Sequence, residues 1–239
     1  MRFKDRVVVI TGGANGIGKQ IALDFEREGA KVCIIDRNEN SFYMGDVSKK
    51  KDLEDFAKKV LNRHEKIDVL VNNAPPKMVG INEGSYEDIE EALRAGAISA
   101  YYLTKLFMGH FTNDASIINI SSTRANMSQS QTESYTMTKG AISALTHALA
   151  MSLAGRVRVN TVLPGWIDTT DTQFEGADND QHMVKRVGRP SDISNVVLFL
   201  ASNEASFIDG QEIVVDGGMM KTMIYSGDEG WKLNNRRTK

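Results

Sequence analysis

The chain has 239 residues, 41% of them hydrophobic and 25% charged, with a formal net charge of −2 at pH 7. This balance is typical of a globular protein with a sizeable core, and the near-neutral charge excludes a strongly basic surface for nucleic acid or anionic membranes. A single cysteine, Cys33, excludes an internal disulfide, and the four scattered histidines show no metal-ligand spacing. The charged N-terminus and the lack of a long apolar run favour a cytoplasmic protein with no metal, nucleic-acid or membrane partner.

Short apolar runs rich in β-branched residues recur along the chain and predict strands. These predicted strands cover residues 7–10, 32–35, 69–71, 117–120, 157–162 and 213–215. Strands that are apolar at nearly every position are typical of a parallel sheet buried on both faces. Longer helical patterns lie between them, at residues 17–28, 53–64, 86–109, 135–154 and 191–202. The alternation predicts an α/β fold, a doubly wound parallel sheet of the Rossmann type flanked by helices on both faces.

The domain organisation follows from the absence of any linker rich in Pro, Gly or Ser, which predicts a single domain over residues 1–218. The polar residues 219–239 are expected to form a C-terminal tail. Between the strand at 32–35 and the next helix, the chain is tight for a crossover, because parallel crossovers usually need about a dozen residues or more. We therefore expect a loop or turn over residues 36–46.

A glycine-rich turn, Thr-Gly-Gly-Ala-Asn-Gly-Ile-Gly, occupies residues 11–18 between the first strand and the first helix. Glycine permits a tight turn and lets the backbone approach a pyrophosphate, while the helix N-terminus offers free N–H groups to the phosphates. The spacing is G-x-x-x-G-x-G rather than the general G-x-G-x-x-G, and a purely structural turn is the alternative. The strand before the turn and the helix after it favour dinucleotide binding. The predicted contacts are Gly12, Asn15, Gly16, Ile17 and Gly18.

Asp36 closes the second predicted strand, roughly 20 residues after the glycines. A carboxylate in this place accepts hydrogen bonds from the adenosine ribose and repels a 2′-phosphate, so the sequence favours NAD over NADP. The neighbouring Arg37 leaves two interpretations open. It pairs with a 2′-phosphate, or it is a solvated surface charge, which is the commoner case.

Tyr135 and Lys139 lie four residues apart in a helical pattern, and this spacing places both on one face of the helix. The unperturbed pKa of tyrosine is about 10, and an adjacent ammonium is expected to lower it. The pair can then exchange a proton with an alcohol or carbonyl oxygen while hydride moves. Ser122 follows the preceding strand, where ligands bind in open parallel sheets. These three residues are the predicted catalytic residues.

Further short segments follow in a recognisable order: Asp-Val at 46–47, Asn-Asn-Ala at 72–74, Arg-Val-Asn at 158–160, Pro-Gly at 164–165 and Asp-Gly-Gly at 216–218. Together with the glycine turn, Ser122, Tyr135 and Lys139, they resemble the short-chain dehydrogenase/reductase family over about residues 4–218. The resemblance implies an NAD(H)-dependent oxidoreductase that transfers hydride between a nicotinamide and an alcohol/ketone substrate. It also implies a homotetramer or homodimer.

The roles that the resemblance implies agree with the motifs. Tyr135 would be the general acid/base, Lys139 would lower its pKa and hold the nicotinamide ribose, and Ser122 would bind the substrate oxygen. Asp46 would contact the adenine. Besides the glycine turn, the implied cofactor contacts are Asp36, Arg37, Asp46, Val47, Asn73, Ala74, Tyr135, Lys139, Pro164, Gly165, Ile167 and Thr169.

Three positions depart from the family pattern. An asparagine that supports a water relay to the lysine aligns with Gly96, which has no side chain for that role. The family's Asn-Asn-Ala-Gly ends here in Pro75, followed by Pro76, and the double proline is expected to stiffen the loop and change its backbone contacts. The short segment after Asp36 is expected to leave the adenine pocket more open.

The substrate side is expected to involve residues 75–79, 123–127 and 166–184, the last as a mobile lid. Arg124 offers bidentate hydrogen bonds to an anionic group, although a surface or ion-pair role is commoner for arginine. Two other functions stay open. One is an NADPH-dependent 3-oxoacyl-type ketoreductase, which Arg37 would suit, and the other is a non-catalytic NAD-binding sensor, which Gly96 and Pro75 would suit.

Overall fold

A computed structural model describes residues 1–225 and 227–228 and contains one seven-stranded sheet in which every strand pair is parallel. The strands run in the order β3-β2-β1-β4-β5-β6-β7. Their bounds are β1 Val7–Thr11, β2 Lys31–Asp36, β3 Tyr43–Met44, β4 Ile67–Asn72, β5 Phe111–Ile120, β6 Val157–Pro164 and β7 Glu212–Val215. All but β3 fall on predicted runs. The predicted doubly wound parallel sheet is confirmed.

Helices cover both faces of the sheet. Their bounds are α1 Gly16–Arg27, α2 Lys50–His64, α3 Tyr86–Leu93, α4 Ser99–Phe107, α5 Glu133–Ser152, α6 Ala177–Asp180 and α7 Pro190–Ala201. Alternate side chains of β1 point to opposite faces, as expected for a strand. Val7 and Val9 join a cluster with α2, α4 and α5, while Val8 and Ile10 join a second cluster with α1 and α7. The core therefore consists of two apolar layers separated by the sheet.

The short strand β3 lies in the segment for which the sequence predicts only a loop or turn. Asn40 starts it, because its side-chain oxygen accepts hydrogen bonds from the backbone N–H groups of Phe42 and Tyr43, both at 2.9 Å. The ring of Phe42 then packs edge-on against Phe56 of α2 at 5.9 Å between centroids. The Asn40 hydrogen bonds and the Phe42 ring contact thus hold β3 beside β2 as an edge strand, without a helix in the described connection between the two strands.

The helix predicted over residues 86–109 is interrupted. A turn of π-helix, Arg94–Ile98, separates α3 from α4, and Gly96 lies inside it. A Cβ atom on Gly96 would lie 2.2 Å from the Cγ2 atom of Thr138 on α5, so only glycine fits the packing of these two helices. The Ser99 hydroxyl donates to the carbonyl of Ala95 at 2.7 Å. Apolar periodicity does not reveal a single inserted residue in a helix, and π-turns of this kind occur often at functional sites.

The described residues after position 218 include a short helical turn. Residues Met219–Lys221 form a short 3₁₀ turn, whereas residue 226 and residues 229–239 of the predicted tail lie outside the described residues. The division into a domain at 1–218 and a tail at 219–239 stays a prediction. Within the described part of the chain, no helix is both long enough and apolar enough to cross a membrane.

Candidate active site

A cavity of about 610 Å³ opens at the carboxyl ends of the strands, around the point where the chain order reverses between β1 and β4. This is where ligands bind in open α/β sheets, and the volume lies within the range of roughly 300–1,000 Å³ that is usual for ligand sites. Of the predicted site residues, those lining the cavity are Gly12, Asn15, Gly16, Ile17, Gly18, Asp36, Arg37, Val47, Asn73, Ala74, Ser122, Tyr135, Lys139, Pro164, Gly165, Ile167 and Thr169.

The glycine turn is held against the loop after β4. Asn73 donates from its side-chain amide to the carbonyl of Gly12 at 2.8 Å, and its backbone N–H donates to the hydroxyl of Thr11 at 2.9 Å. A Cβ atom on Gly18 would lie 2.0 Å from the Gly12 carbonyl oxygen and 2.4 Å from the Asn73 amide nitrogen. Glycine at position 18 is therefore required for the turn to close, and Asn73 supports the turn as well as lining the cavity.

The N-terminus of α1 faces the cavity with donors to spare. Among the described residues, the Asn15 side chain makes no capping hydrogen bond with the helix, and the first turn of α1 carries no acidic residue. The first N–H groups of a helix have no partner within the helix and attract anions. Gly16, at a φ of +53°, approaches Thr169 so closely that a Cβ on it would lie 3.1 Å from the threonine methyl. The start of α1 and the segment that carries Thr169 therefore lie side by side at the wall of the cavity.

At one end of the cavity, which we call the adenine end, Asp36 is held in place by the glycine turn. Its carboxylate accepts hydrogen bonds from the backbone N–H of Ala14 at 3.0 Å and of Asn38 at 2.8 Å. Arg37 beside it is 57% exposed and already pairs with carboxylates, while its pairing with a 2′-phosphate stays a prediction. Its guanidinium donates to Asp46 and to Glu91 of α3, each at 3.1 Å, and these hydrogen bonds hold its pKa above the usual range.

Asp46 is the one predicted site residue that does not line the cavity, although its neighbours Gly45 and Val47 do. Its carboxylate accepts from the backbone N–H and the hydroxyl of Ser48 and pairs with Arg37. These contacts lower the pKa of Asp46 below its usual range despite its partial burial. In this structure Asp46 orders the loop before α2, because its oxygens already have partners.

At the opposite end, which we call the catalytic end, Ser122, Tyr135 and Lys139 meet in front of the ends of β5 and β6. Ser122 follows β5 and accepts from the backbone N–H of Arg124 at 3.2 Å, which caps a short 3₁₀ turn. Tyr135 and Lys139 share one face of α5, and the ammonium nitrogen of Lys139 lies 5.5 Å from the centre of the Tyr135 ring. Lys139 donates to the carbonyl of Ile120 at 2.7 Å.

Burial controls the charges at the catalytic end. Burial lowers the pKa of Lys139 from 10.5 to about 7, because the charged form is desolvated. The pKa of Tyr135 is raised, since burial outweighs its hydrogen bond with Ser122 and the charge of Arg124, both of which lower it. The expected lowering of the Tyr135 pKa by Lys139 is therefore wrong for this arrangement, in which Lys139 itself is only partly charged near neutral pH.

Of the expected substrate segments, Pro75, Ile167 and Thr169 line the cavity. The Arg124 guanidinium hydrogen-bonds to Gln129 and lies 6.0 Å from the centre of the Tyr135 ring. In the segment 166–184, Trp166 packs edge-on against Phe174 at 4.9 Å between ring centroids. Asp168 accepts from the backbone N–H groups at positions 170 and 172, so this segment has its own internal order.

Several lining residues were missed by sequence reasoning: Ile35, Asn38, Gly45, Ala95, Ile120 and Ser121. Ile35 and Ile120 are the last residues of their predicted strands and Ser121 follows Ile120, so counting the strand ends themselves as part of the site would have found them. Asn38 lies in the short segment after Asp36, which therefore helps to build the adenine end. Ala95 reaches the cavity from the π-turn, for which the sequence carries no visible signal.

Comparison with known proteins decides the family. Residues 12–220 match the family described as enoyl-(acyl carrier protein) reductase. An uncharacterized oxidoreductase of Thermotoga maritima is 35% identical, with 93% of this chain and 99% of the relative covered. The chain belongs to the short-chain dehydrogenase/reductase family. Its chemistry is therefore that of an oxidoreductase that uses a nicotinamide cofactor and a small-molecule substrate.

Other members of the short-chain dehydrogenase/reductase family carry more specific names. L-fucose dehydrogenase of Mus musculus is 34% identical over 91% of this chain and 89% of its own length. The 3-oxoacyl-[acyl-carrier-protein] reductase of Thermotoga maritima is 30% identical over 92% of this chain and 100% of its own length. The solved structure of an apo SCOR enzyme from Clostridium thermocellum is 43% identical, with a TM-score of 0.91 over 96% of this chain and 98% of that one.

Proposed function

We propose that this chain is an NAD(H)-dependent oxidoreductase that transfers hydride between a nicotinamide and an alcohol/ketone substrate. One observation carries the proposal: a single cavity joins the glycine turn and Asp36 at its adenine end to Ser122, Tyr135 and Lys139 at its catalytic end. A fold with no turnover would not need three polar side chains at the catalytic end, where burial makes polar groups costly.

The lining residues fit a dinucleotide. When bound, the nicotinamide supplies or accepts the hydride. The N–H groups at the start of α1 bind the pyrophosphate, and the Asp36 carboxylate accepts from the adenosine ribose. Asn73 and Ala74 line the same cavity, and Pro164, Gly165, Ile167 and Thr169 would hold the nicotinamide side of the cofactor.

The chain's own residues handle the proton. Tyr135 takes the hydroxyl proton of an alcohol during oxidation and returns it to the oxygen of a ketone during reduction. Ser122 donates a hydrogen bond that orients the same substrate oxygen. An ammonium has three N–H donors, and the hydrogen bond from Lys139 to Ile120 uses one of them, which leaves two for the nicotinamide ribose hydroxyls. In its charged form Lys139 favours the phenolate of Tyr135.

The proposal is tested by measuring NADH formation from NAD with a panel of sugars, polyols, hydroxysteroids and hydroxyacyl thioesters. Tyr135→Phe is expected to lower kcat by about 10²–10⁴-fold, because the proton acceptor is lost. The matched control is Tyr101→Phe on α4, where half of the tyrosine is exposed. Turnover that survives Tyr135→Phe would remove tyrosine from the chemistry. The similarity to L-fucose dehydrogenase supports beginning the panel with sugars.

A second candidate, an NADPH-dependent 3-oxoacyl-type ketoreductase, is favoured by the similarity to the 3-oxoacyl reductase of Thermotoga maritima. Asp36 at the adenine end opposes it, since a carboxylate repels the 2′-phosphate of NADP. Comparing Kd for NADH and NADPH separates the two, and tighter binding of NADPH would favour the ketoreductase.

The remaining alternative is a non-catalytic NAD-binding sensor. It would show cofactor binding without turnover on any substrate of the panel, and Gly96 would then be the first residue to examine. We further propose that the protein is cytoplasmic. We also propose that it assembles as a homotetramer or homodimer, and sedimentation of the purified protein would test this oligomeric state.

A further inference from the structure

An ion cluster of Arg37, Asp46 and Glu91 lies beside the cavity near Asp36, and Arg37 is its member that lines the cavity. Arg37 follows β2 directly, and its Nη2 atom lies 3.1 Å from carboxylate oxygens of both Asp46 and Glu91. Glu91 comes from α3, 54 residues further along the chain, and lies one helical turn before Ala95, which lines the cavity. The cluster therefore ties the loop after β2 to a helix on the rim of the same cavity.

The charge balance of this cluster is unfavourable for an additional phosphate. Asp36, Asp46 and Glu91 supply three carboxylates, and Arg37 pairs with two of them, Asp46 and Glu91. A 2′-phosphate on the adenosine ribose would have to compete with both carboxylates for Arg37. It would also experience repulsion from Asp36, because like charges at short range disfavour binding.

We propose that Glu91 is a specificity-determining residue, which disfavours NADP(H) by holding Arg37 away from the position of a 2′-phosphate. The inference rests on the proposed preference for NAD and deepens it. Asp36 repels the phosphate directly, and Glu91 acts through Arg37 by occupying the basic side chain that lines the cavity beside Asp36. Arginine binds phosphate strongly when its guanidinium is free to donate to the phosphate oxygens.

Glu91 is the better place to test this idea than Asp46. Asp46 also accepts from Ser48 and orders the loop before α2, so its removal would disturb that loop. Among the described residues, the Glu91 side chain makes hydrogen bonds with Arg37 alone, and 40% of it is exposed. Its removal should change the partner of Arg37 and little else.

The experiment measures Kd for NADH and NADPH by fluorescence titration of the full chain. Glu91→Ala is expected to tighten NADPH binding by about tenfold and to change NADH binding less than twofold, because only NADPH presents a group to Arg37, for which Asp46 is then the one competing carboxylate of the cluster. The matched control is Glu90→Ala, which removes a neighbouring glutamate on α3 that pairs with Arg94 at 2.7 Å instead.

A second pair of variants shows whether Arg37 transmits the effect. Arg37→Gln with Glu91→Ala should bind NADPH no better than Arg37→Gln alone. If Glu91→Ala lowers the melting temperature strongly, Glu91→Gln keeps the side-chain size and should shift NADPH binding in the same direction by a smaller factor. An unchanged ratio of the two Kd values in both Glu91 variants, or a change equal to that in Glu90→Ala, overturns the proposal.

The test distinguishes this inference from the proposed cofactor preference. A wild-type chain that binds NADPH more tightly than NADH would overturn the NAD preference. If Glu91→Ala tightened NADPH binding further in that case, the role of Glu91 would still stand. Conversely, a wild type that prefers NADH and is insensitive to Glu91 would keep the NAD preference and overturn the role of Glu91.

Discussion

The two ends of the cavity handle charge in opposite ways. At the adenine end, the charges lie near the surface and are paired: 57% of the Arg37 side chain is exposed, and it contacts two carboxylates. At the catalytic end, Lys139 is only 2% exposed, and its partner among the described residues is the backbone carbonyl of Ile120. One end balances its charges with counter-charges, whereas the other buries a cation without one.

This difference in charge burial suits the two ends to different tasks, cofactor selection at the adenine end and proton transfer at the catalytic end. Exposed ion pairs are screened by salt and individually weak, so they distinguish ligands that differ by a whole phosphate. A buried group is sensitive to small changes in its surroundings, because desolvation alone moves its pKa far from the ordinary value. A group with a pKa near neutrality can change its protonation when a ligand arrives, which suits proton transfer.

The largest expected effect comes from removing the buried cation. Lys139→Met keeps the length and apolar stem of the side chain and should lower kcat by about 10²–10⁴-fold, because the site loses the group that favours the Tyr135 phenolate when it is protonated and that donates to the nicotinamide ribose in the proposed function. Steady-state kinetics with the best substrate provide the measurement. Lys105→Met on α4, an exposed lysine, is the control. Equal kinetics for both variants would contradict a catalytic role for the buried lysine.

The same variant tests the uncompensated burial through pH. The pKa of Lys139 is about 7 in the folded chain and about 10.4 in an unfolded chain, so the unfolded state binds more protons between these values. Stability from this group therefore rises with pH above 7 and is lost as pH falls towards 7. The melting temperature should rise between pH 7 and 9 by about 5–9 °C more in wild type than in Lys139→Met. A parallel pH dependence of the two proteins would contradict the buried, weakly protonated lysine.

At the phosphate turn, we expect a smaller effect from Gly18→Ala. The added Cβ would lie 2.0 Å from the Gly12 carbonyl oxygen, so the turn must open. An opened turn should form weaker hydrogen bonds with the pyrophosphate. Kd for NADH should rise by about 10–100-fold, since several charge-assisted hydrogen bonds weaken together. Gly109→Ala is the control, because a Cβ there meets no atom within 4 Å.

Between the two ends, the π-turn offers a test of packing. Gly96→Ala places a methyl group 2.2 Å from the Thr138 methyl and should lower the free energy of unfolding by about 1–3 kcal/mol. In a Thr138→Ser background, which removes that methyl, the loss should be smaller. Gly140→Ala on α5 meets no atom within 4 Å and should be neutral or stabilising. Denaturant unfolding of the wild type, the three single variants and the double variant measures these changes in the free energy of unfolding. Similar losses for Gly96→Ala and Gly140→Ala would contradict the tight packing at Gly96.

The smallest expected effect is that of Arg124→Ala. The charge of Arg124 lowers the pKa of Tyr135, so its removal should move the rise of kcat/KM for alcohol oxidation to higher pH by a few tenths of a unit. KM for an anionic substrate should rise several-fold as well. Arg156→Ala, at an exposed arginine after α5, is the control. An unchanged pH profile together with an unchanged KM for every substrate would assign Arg124 to the surface.

Sequence reasoning reached the features that local motifs carry. The glycine turn depends on φ angles and close approaches within a few residues, and the spacing of Tyr135 and Lys139 is one helical turn. Strand ends in a parallel sheet meet at one edge, so the position of Ser122 followed as well. The interpretation of residues 36–46 as a loop or turn missed β3, because its start depends on one asparagine side chain and a distant aromatic ring.

Features set by tertiary contact were not visible in the sequence. The π-turn around Gly96 reflects packing against Thr138 on another helix, and the pairing of Arg37 with Glu91 joins residues 54 apart. The raised pKa of Tyr135 has the same origin. The sequence spacing places Lys139 beside the Tyr135 phenol. Only the fold reveals that burial raises the pKa of Tyr135 and also lowers the pKa of Lys139 to about 7.

The reversal of strand order beside β1 also divides the cavity by sequence. Residues 12–47 supply the adenine end, and residues 120–169 supply the catalytic end, with the loop after β4 between them. A recombination point between residues 95 and 120 would therefore exchange the adenine end together with Glu91 and leave the catalytic end intact. Protein engineers could change the cofactor preference of such an enzyme by exchanging the N-terminal part of the chain, and its substrate preference by exchanging the C-terminal part.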